Sequence, residues 1–468
     1  MHNFFDRRTE ESAAPVTAMP TRPLFPESDL DKGIVGWDGQ GDPDNPQNFA
    51  SGRKWGLLAL MSSIIFISPL ASSMFSPSVA YVGNDFGVTN ESLLSFSVTA
   101  YLLGYKFVPM LLAPLSEIYG RRIVLSCANW FFVVWQIGCA LSPTISALIV
   151  FRLFAGKGGV GSLTLGAGVI ADLFPTEQRG LATSIWAFGP LLGPVVGPIA
   201  GGFIGEEIGW RWTFWVLLIA GGIISAGIEV LNRETYAPVL TRWKTEKLAK
   251  ETGRTDLRSV FDKRAQNPSV SEALKLGLSR PLILLFKSPI VLLLSVYMAF
   301  AYGLLYLFFT TISTVFQEDY GWSTGLSGLA YLGIGSGFIT GLATIAFTSD
   351  RIVTKLTARN GGKFEPEMRL VTMIFFSCIL PISFFWYGWS DEYKILCCVG
   401  YAALTATRSI MGALLPLAGP AMFDALGLGW GNSLLGFIAL AFVPVPILFN
   451  RYGQAIREKF PVKLDGRN

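Results

Sequence analysis

The feature that most constrains this chain is a series of eleven apolar stretches, each long enough to cross a bilayer as a helix. Six stretches precede a basic insert of about 55 residues, and five follow it. The first six lie at 55–79, 92–114, 122–141, 144–170, 181–203 and 211–231, and the other five at 289–316, 325–347, 370–389, 397–425 and 431–449. The sequence therefore predicts an all-α integral membrane protein.

Composition agrees with a membrane protein and excludes several classes. Hydrophobic residues make up 51% of the 468 positions and charged residues only 15%. The five cysteines lie in or beside apolar stretches and the single histidine is His2, so neither a disulfide framework nor a metal centre is indicated. No phosphate-binding loop, cofactor site, nucleophile–base pair or nucleic-acid signal is present in the sequence. We therefore expect neither an enzyme nor an ATP-driven pump.

The placement of Lys and Arg predicts the orientation, because short basic loops stay on the cytoplasmic side. The basic loops alternate with acidic ones through the first nine stretches. The organisation expected is a disordered cytosolic tail (1–52), a six-helix bundle (53–231), a cytosolic central loop (232–288), a five-span bundle (289–453) and a C-terminal tail (454–468).

The second half departs from this alternation. Only two stretches follow the ninth, which would leave the basic C-terminal tail outside the cell. Either one span is absent between Trp389 and Tyr401, or the topology tolerates a basic tail outside. If the tenth span is absent, one explanation is a spliced or mispredicted exon.

Three ordered motifs carry a family resemblance. Residues 113–122 read APLSEIYGRR, residues 151–156 read FRLFAG, and residues 193–202 read GPVVGPIAGG. Together they resemble signatures of the major facilitator superfamily, and the third resembles that of its drug:proton antiporter group. The segments DPDNPQN (42–48), ADLFPTEQRG (171–180), ETYAP (234–238) and GWGN (429–432) are similar to fungal members with twelve spans.

The resemblance implies two six-helix halves and a transporter without a cofactor. It implies export of a small organic compound, such as a drug, toxin or fungal metabolite, in exchange for protons. A monomer in the plasma membrane is expected, with the vacuolar membrane as the alternative. A proton-coupled importer of the same fold, or a chain made inactive by the missing span, are the other functions considered.

The first motif is a candidate cytosolic gate. Glu117, Gly120, Arg121 and Arg122 stand at a helix junction, where charge-assisted contacts could hold one face of a bundle closed. We assign the same role in the second half to Asp350 and Arg351. The alternative is that the arginines only anchor the loop on the cytosolic side.

The third motif predicts a close helix interface. Its glycines recur every four residues and would form a flat face, with prolines that stiffen or kink the helix. The interface residues are Gly193, Pro194, Gly197, Pro198, Gly201 and Gly202.

Charges inside apolar stretches are costly, so they mark candidate functional sites. Lys106, Lys157 and Arg408 are candidates for binding an anionic solute, although Lys106 and Lys157 could instead pair with backbone carbonyls. Arg152 matches an intramembrane arginine that the resemblance links to proton coupling. Five residues apart on one helix, Arg152 and Lys157 point about 140° from each other, so they cannot face one cavity equally.

Few acids accompany these cations. Asp172 and Glu229, with Glu117, are the carboxylates whose protonation we expect to couple transport to the proton gradient. Tyr302, Tyr306 and Trp386 are candidates for an aromatic wall of the solute cavity, the alternative being ordinary packing.

Overall fold

The computed structural model describes residues 25–106, 108–261, 270–318 and 320–359, with shorter helical pieces between 374 and 451. Within these residues, seven helical segments are long and apolar enough to cross a membrane. They are Ser51–Phe86, Glu91–Tyr119, Arg121–Ala140, Ile145–Leu173, Gln178–Glu207, Arg211–Leu231 and Val291–Glu318. The first six coincide with the six stretches expected before the basic insert, and the last coincides with the seventh.

The helices of the first half follow the sequence pattern closely. They are α1 (Ser51–Ser73), α2 (Val79–Phe86), α3 (Glu91–Gly104), α4 (Val108–Tyr119), α5 (Arg121–Ala140), α6 (Ile145–Leu173), α7 (Thr176–Glu207) and α8 (Arg211–Leu231). A 3-10 turn at Ser76–Ser78 joins α1 to α2.

The central loop and second half contain five described helices up to Arg359 and a later apolar helix, Ser433–Phe442. The five are α9 (Ala237–Thr252), α10 (Val270–Lys287), α11 (Pro289–Glu318), α12 (Thr324–Leu329) and α13 (Tyr331–Arg359). The predicted span at 325–347 falls on α12 and α13. Most of the predicted spans 370–389, 397–425 and 431–449, and with them the question of a missing tenth span, lie outside the described residues.

The second predicted span is not one continuous helix. α3 ends at Gly104 and α4 begins at Val108, so the interruption falls beside Lys106. Pro109, the second residue of α4, has no N–H to donate to the carbonyl of Tyr105, which explains the break. Asn90 begins α3 by accepting a hydrogen bond from the Leu93 N–H.

The expectation of a disordered tail over 1–52 is wrong for residues 25–52. Short 3-10 turns form at Leu30–Lys32 and Pro46–Asn48, and strand β1 (Ile34–Val35) pairs in parallel with β2 (Arg258–Ser259) of the central loop. The side chain of Trp37 is only 2% exposed. The segment folds without an apolar run, since β1 pairs with a strand more than 200 positions away in the sequence.

Asp42 organises the chain just before α1. Its carboxylate accepts hydrogen bonds from the N–H groups of Asp38 and Asp44, and it pairs with Lys244 of α9. Burial opposes ionisation, but these backbone hydrogen bonds and Lys244 hold the pKa of Asp42 below its ordinary value. The N-terminal segment and central loop therefore form one folded unit, on the side that the charge pattern predicts to be cytosolic.

Candidate functional site

Arg152 is buried within the first half. Its side chain on α6 is 1% exposed, and Nη2 donates to the carbonyls of Ser72 (3.2 Å) and Val98 (3.1 Å). The guanidinium also lies over the rings of Phe75 and Tyr101, with 4.9 and 5.6 Å to the centroids. Within the described residues no carboxylate pairs with Arg152.

One acceptor of Arg152, the carbonyl of Ser72, lies at the end of a helix, whereas the carbonyl of Val98 lies inside α3. α1 stops at Ser73, so the carbonyls of its last turn lack partners within the helix. A cation at this end is also favoured by the helix dipole. Arg152 is therefore neutralised by backbone dipoles, and its Nε is left without a hydrogen-bond partner in the described structure.

The same end of α1 contacts the second half of the protein. Ser72 Oγ and Tyr306 Oη are hydrogen-bonded, 2.9 Å apart, and Ser76 Oγ donates to the carbonyl of Phe309 on α11. Ser72 thus contacts Arg152 through its carbonyl and α11 through its hydroxyl. This brings Arg152 and Tyr306, two of the predicted site residues, into one chain of contacts.

The two intramembrane lysines occupy different environments. Lys157 Nζ lies 4.6 Å from the centroid of Phe154, whose ring stacks on Trp135 of α5. Lys157 therefore lies at the contact of α5 and α6, whereas Arg152 lies beside the end of α1. Lys106 is half-buried at the break between α3 and α4. Neither lysine forms an ion pair with any described residue.

The predicted aromatic wall is described only in part. Tyr302 and Tyr306 stand one turn apart on α11, with ring centroids 5.8 Å apart. Trp386 and Arg408 lie outside the described residues.

Arg121 forms the centre of a cytosolic cluster. Its Nε donates to the carboxylate of Asp172 at the end of α6, and its guanidinium lies 4.9 Å from the ring centroid of Tyr236. Thr235 also donates to Asp172, at 3.4 Å. The side chains of Arg121 and Asp172 are 15% and 18% exposed. The cluster joins α5, α6 and the segment that follows α8.

Glu234, which is more than 100 positions away in the sequence, caps the N-terminus of α5. Its carboxylate accepts from the N–H groups of Arg121 (2.9 Å) and Arg122 (3.2 Å), as well as from those of Thr235 and Tyr236. An acidic group at a helix N-terminus satisfies unpaired donors and complements the helix dipole. Gly120 has φ +97°, and a Cβ there would lie 2.1 Å from a Glu234 oxygen, which explains the glycine.

The other predicted gate residues are arranged more loosely. Arg122 lies 3.7 Å from Glu229, and both side chains are more than a third exposed. Glu117 is exposed and pairs with neither Arg121 nor Arg122. Arg351 is exposed on α13, and the side chain of Asp350 lies outside the described residues. The structure thus brings Arg121 to Asp172, and not to Glu117.

The glycine face of α7 lies directly on α1. A Cβ added at Gly193, Gly197 or Gly201 would lie within 3 Å of α1 or of Met74 just after it. Gly202 faces the carbonyl of Thr324 in the second half, and the Pro198 carbonyl approaches Gly328 of α12. Pro194, like Pro198, is inside α7. One helix therefore contacts both halves.

The outer end of α7 also holds the start of α12. Glu206 accepts hydrogen bonds from Ser323 Oγ and from the N–H of Gly325. Thr324 donates to Tyr81 Oη at 3.2 Å. These contacts join the halves at the side where the acidic loops lie.

Sequence reasoning did not assign a role to Glu206, Glu234 or Ser72. A signal existed for Glu234, because an acid just after a span stood near the basic motif at the same membrane face. Ser72 and Glu206 gave no comparable signal, since a serine inside a span and an acid in an outer loop are both ordinary.

Comparison with known proteins agrees with this architecture. A model described as Major Facilitator Superfamily matches residues 61–444. The chain is 48% identical over 460 residues to the MFS-type transporter penM of Penicillium rubens, covering 91% of this chain and 90% of that protein. It is 42% identical over 475 residues to the efflux pump radE of Floropilus chiversii, covering 94% and 88%.

Each of these two alignments has more positions than the number of residues that this chain contributes to it. In the alignment with penM, 91% of 468 residues is about 426, so about 34 of the 460 positions lack a residue of this chain. The alignment with radE leaves about 35 such positions.

The fold also matches solved transporters. The chain resembles a D-xylose-proton symporter with a TM-score of 0.55 at 16% identity, covering 88% of this chain and 99% of that one. At this identity the likeness shows the fold alone. Together with the apolar helices, the family match shows a multi-pass membrane protein and a secondary transporter, not an enzyme. The chain belongs to the Major Facilitator Superfamily.

Proposed function

We propose that this transporter exports a small organic compound in exchange for protons. The observation that carries the proposal is Asp172, a carboxylate held at the cytosolic mouth between Arg121 of α5 and Thr235 of the linker. Export is supported by the similarity to a protein named as an efflux pump.

Protonation of Asp172 would change the cytosolic cluster directly. A neutral carboxyl group loses most of its attraction to the Arg121 guanidinium, so the contact between α5 and α6 weakens. Loss of the proton would then strengthen the contact between α5 and α6 at the cytosolic end, and binding of the proton would weaken it. Glu229 is a weaker candidate because its distance to Arg122 is 3.7 Å and both groups are screened by solvent.

Arg152 is proposed to position the end of α1. Its cation holds the Ser72 and Val98 carbonyls, and Ser72 in turn contacts Tyr306 of the second half. Movement of a proton or solute near Arg152 would thereby change the contact between Ser72 and Tyr306, and so the position of α11. Tyr302 and Tyr306 are retained as candidates for the solute cavity.

An anionic solute remains the preferred substrate class. Lys106 lies at a helix break inside the membrane and has no counter-charge among the described residues. Lys157 is less suited, because Phe154 already covers its ammonium group. We place the transporter in the plasma membrane as a monomer, with the vacuolar membrane as the alternative.

Transport by inside-out membrane vesicles tests direction and coupling. Vesicles from yeast expressing the chain are given an acidic lumen, and uptake of paired aromatic acids and their neutral amides is measured. We expect ATP-independent uptake of the acids that a protonophore abolishes. Asp172→Asn should reduce this uptake about a hundredfold, the lower end of the usual effect of losing a positioned proton-transfer group. Asp256→Asn, at an exposed site in the central loop, serves as the control.

The results separate the alternatives. Uptake only with the opposite pH gradient would identify an importer, and no uptake at all would identify a nontransporting protein. A response of Asp172→Asn equal to that of Asp256→Asn would remove Asp172 from the coupling mechanism.

We also propose that this chain lacks one span that its relatives possess. The positions without a residue of this chain, about 34 and 35 in two alignments, exceed the roughly 20 residues that a spanning helix needs. The break in charge alternation suggests a gap between Trp389 and Tyr401. Sequencing the native transcript across codons 393–402 tests where the gap arises. Roughly 20 to 30 extra, mostly apolar codons would mean that the native protein has twelve spans and that an exon is missing from this sequence. An uninterrupted junction would contradict the exon explanation and mean that the eleven-span chain is the native one.

A further inference from the structure

A cavity of about 560 Å³ lies at the cytosolic end of the first half, apart from Arg152. Its lining includes Phe49, Arg122, Ile123, Arg233 and Trp243. Phe49 precedes α1, the next two residues belong to the first turn of α5, and the last two follow α8.

This cavity lies at the level of the membrane surface, where the two spans α5 and α8 leave the bilayer. α5 begins at Arg121 and α8 ends at Leu231, so the cavity opens where headgroups lie. Ile123 is 50% exposed and Val230 is 80% exposed, which places apolar side chains at its lower edge facing outward. Trp243 at the opening is 42% exposed, and tryptophan favours membrane interfaces.

The charges at the cavity leave one guanidinium without a partner. Arg233 is exposed and forms no hydrogen bond or ion pair with any described residue. Arg53 lies within electrostatic range of it, with Nε bound to the Leu231 carbonyl. Two like charges in this range raise the energy of the empty site and favour an anion.

The acids around the cavity do not satisfy Arg233. The Glu234 carboxylate accepts from four backbone N–H groups, and Glu229 pairs at 3.7 Å with Arg122. Asp44 is exposed on the rim, with no ion pair among the described residues. The guanidinium of Arg233 is therefore available to a ligand in the cavity, and so are the donors of Arg122 that Glu229 does not occupy.

We propose that this cavity binds the phosphate group of an anionic phospholipid from the cytoplasmic leaflet. Arg233 and Arg122 donate to the phosphate oxygens, a geometry that guanidinium groups favour. The acyl chains follow the outward surface of α5 and α8, past Ile123 and Val230. Anionic lipids are concentrated in the cytoplasmic leaflet, and basic side chains at that surface attract them.

A lipid suits the site better than a soluble phosphate. Exposed apolar side chains lie along one face of α8 beyond the cavity: Val230 is 80% exposed, and Ile223, two turns earlier on the same face, is 68% exposed. Such a surface contributes binding energy only for a ligand with an acyl chain. A bound lipid would also contact Arg122 beside the Glu234 cap of α5.

Binding to the purified full-length chain in detergent tests the proposal. Dioctanoyl phosphatidylserine, dioctanoyl phosphatidylcholine and inorganic phosphate are added separately, and the melting temperature and native mass spectrum are recorded. We expect phosphatidylserine to raise the melting temperature and to remain bound. In Arg233→Gln its affinity should fall about tenfold, typical of a lost charge-assisted contact.

Two further variants make the result specific. Arg258→Gln removes an exposed arginine from β2, away from the cavity, and should bind phosphatidylserine like the parent chain. Arg233→Lys retains the charge and should recover part of the affinity. Equal effects of phosphatidylserine and phosphatidylcholine, stabilisation by inorganic phosphate alone, or identical behaviour of Arg233→Gln and Arg258→Gln would each overturn the proposal.

Discussion

The two ends of this transporter are held together by different chemistry. At the cytosolic end, Arg121, Asp172 and Glu234 form short charged contacts, and all three belong to the first half and the segment that follows it. At the outer end, Glu206 and Tyr81 of the first half contact Ser323, Thr324 and Gly325 of the second. A pair of opposite charges thus lies within one half, whereas in these outer contacts between the halves only Glu206 is charged.

This difference suits a protein whose halves must separate. A hydrogen bond to a single charged group contributes about 1.5 to 3 kcal/mol net, because water competes for both partners. Several such contacts can close the outer end and still open on the timescale of transport. The cytosolic cluster instead holds α5, α6 and the linker as one body, so the first half can move as a unit.

The largest expected effect comes from the glycine face that joins α7 to the end of α1. In Gly201→Ala the new Cβ would lie 1.7 Å from the Met74 carbonyl oxygen, which is backbone and cannot move away alone. We expect a loss of about 3 kcal/mol in stability, since overpacking at rigid sites is costly. Thermal unfolding in detergent measures it.

Gly180→Ala is the matched control on the same helix. No atom lies within 4 Å of a Cβ there, so alanine should stabilise α7 by about 1 kcal/mol. Equal melting temperatures for the two variants would show that α7 and α1 do not pack as described.

The cap of α5 should give the next largest effect. Glu234→Ala leaves buried N–H groups of Arg121 and Arg122 without acceptors, and we expect about 2 kcal/mol of destabilisation. The melting temperature of the variant measures this loss. Glu246→Ala, at an exposed position of α9, should change it little, and a similar loss in both would contradict the cap.

The ion pair of the cytosolic cluster can be isolated by a double-mutant cycle. Arg121→Gln and Asp172→Asn should show a coupling energy of about 1 to 2 kcal/mol, because the two side chains are mostly buried and in contact. The cycle is measured by thermal unfolding of the parent, both single variants and the double variant. Additive effects would mean that the pair does not hold α5 to α6.

The outer contact should shift conformation more than stability. Glu206→Ala removes the acceptor at the start of α12, a cap worth about 1 kcal/mol, so the open outer state should become several-fold more populated. Spin labels at Glu207→Cys and Leu326→Cys, both exposed, report the separation of the halves in a cysteine-free background. An unchanged distance distribution would show that Glu206 does not hold the outer end closed. Glu91→Ala, at an exposed position, is the control.

The smallest expected effect concerns the folded N-terminal segment. Asp42→Asn keeps one side-chain acceptor but loses the charge opposite Lys244, so we expect about 0.5 kcal/mol less protection of residues 25–50. Hydrogen exchange read by mass spectrometry measures it at pH 7. Asp31→Asn, at an exposed position, is the control.

The pH dependence of this difference has a definite sign. The pKa of Asp42 lies below its ordinary value of 3.8 in the folded state, although burial opposes this, because backbone N–H groups and Lys244 favour the carboxylate. Its stabilising contribution is therefore fully present above pH 3.8 and disappears as the pH falls through the folded pKa. A difference between parent and variant that persists at lower pH would contradict this role.

Much of the fold follows from local pattern. The six apolar stretches of the first half coincide with six helical segments, because a bilayer demands long apolar helices whatever their neighbours. The glycine repeat at 193–201 indicated a close interface, since its period alone places those residues on one face. The break at Lys106 was not expected, although Pro109 was its visible cause.

The partners at the site were less predictable. Glu117 and Arg121 were grouped as one candidate gate because they lie close in sequence, yet the acid that pairs with Arg121 is Asp172 of α6, about 50 positions along the chain. The N-terminal segment was expected to be disordered because it holds no apolar run and contains proline and several acidic residues. Its strand β1 is only two residues long. Its partner strand begins more than 200 positions later, and no local pattern reveals such a pairing.

By itself the sequence determined the membrane spans of the first half and the family motifs, because hydrophobic length and motif residues are local features. The orientation of the spans stays a prediction from charge placement. The tertiary structure decided which charges meet: Arg152 lies on the carbonyls of α1, Lys157 on Phe154, and Glu234 at the start of α5. Those pairings depend on how helices pack and rotate against each other, and that is a property of the whole bundle.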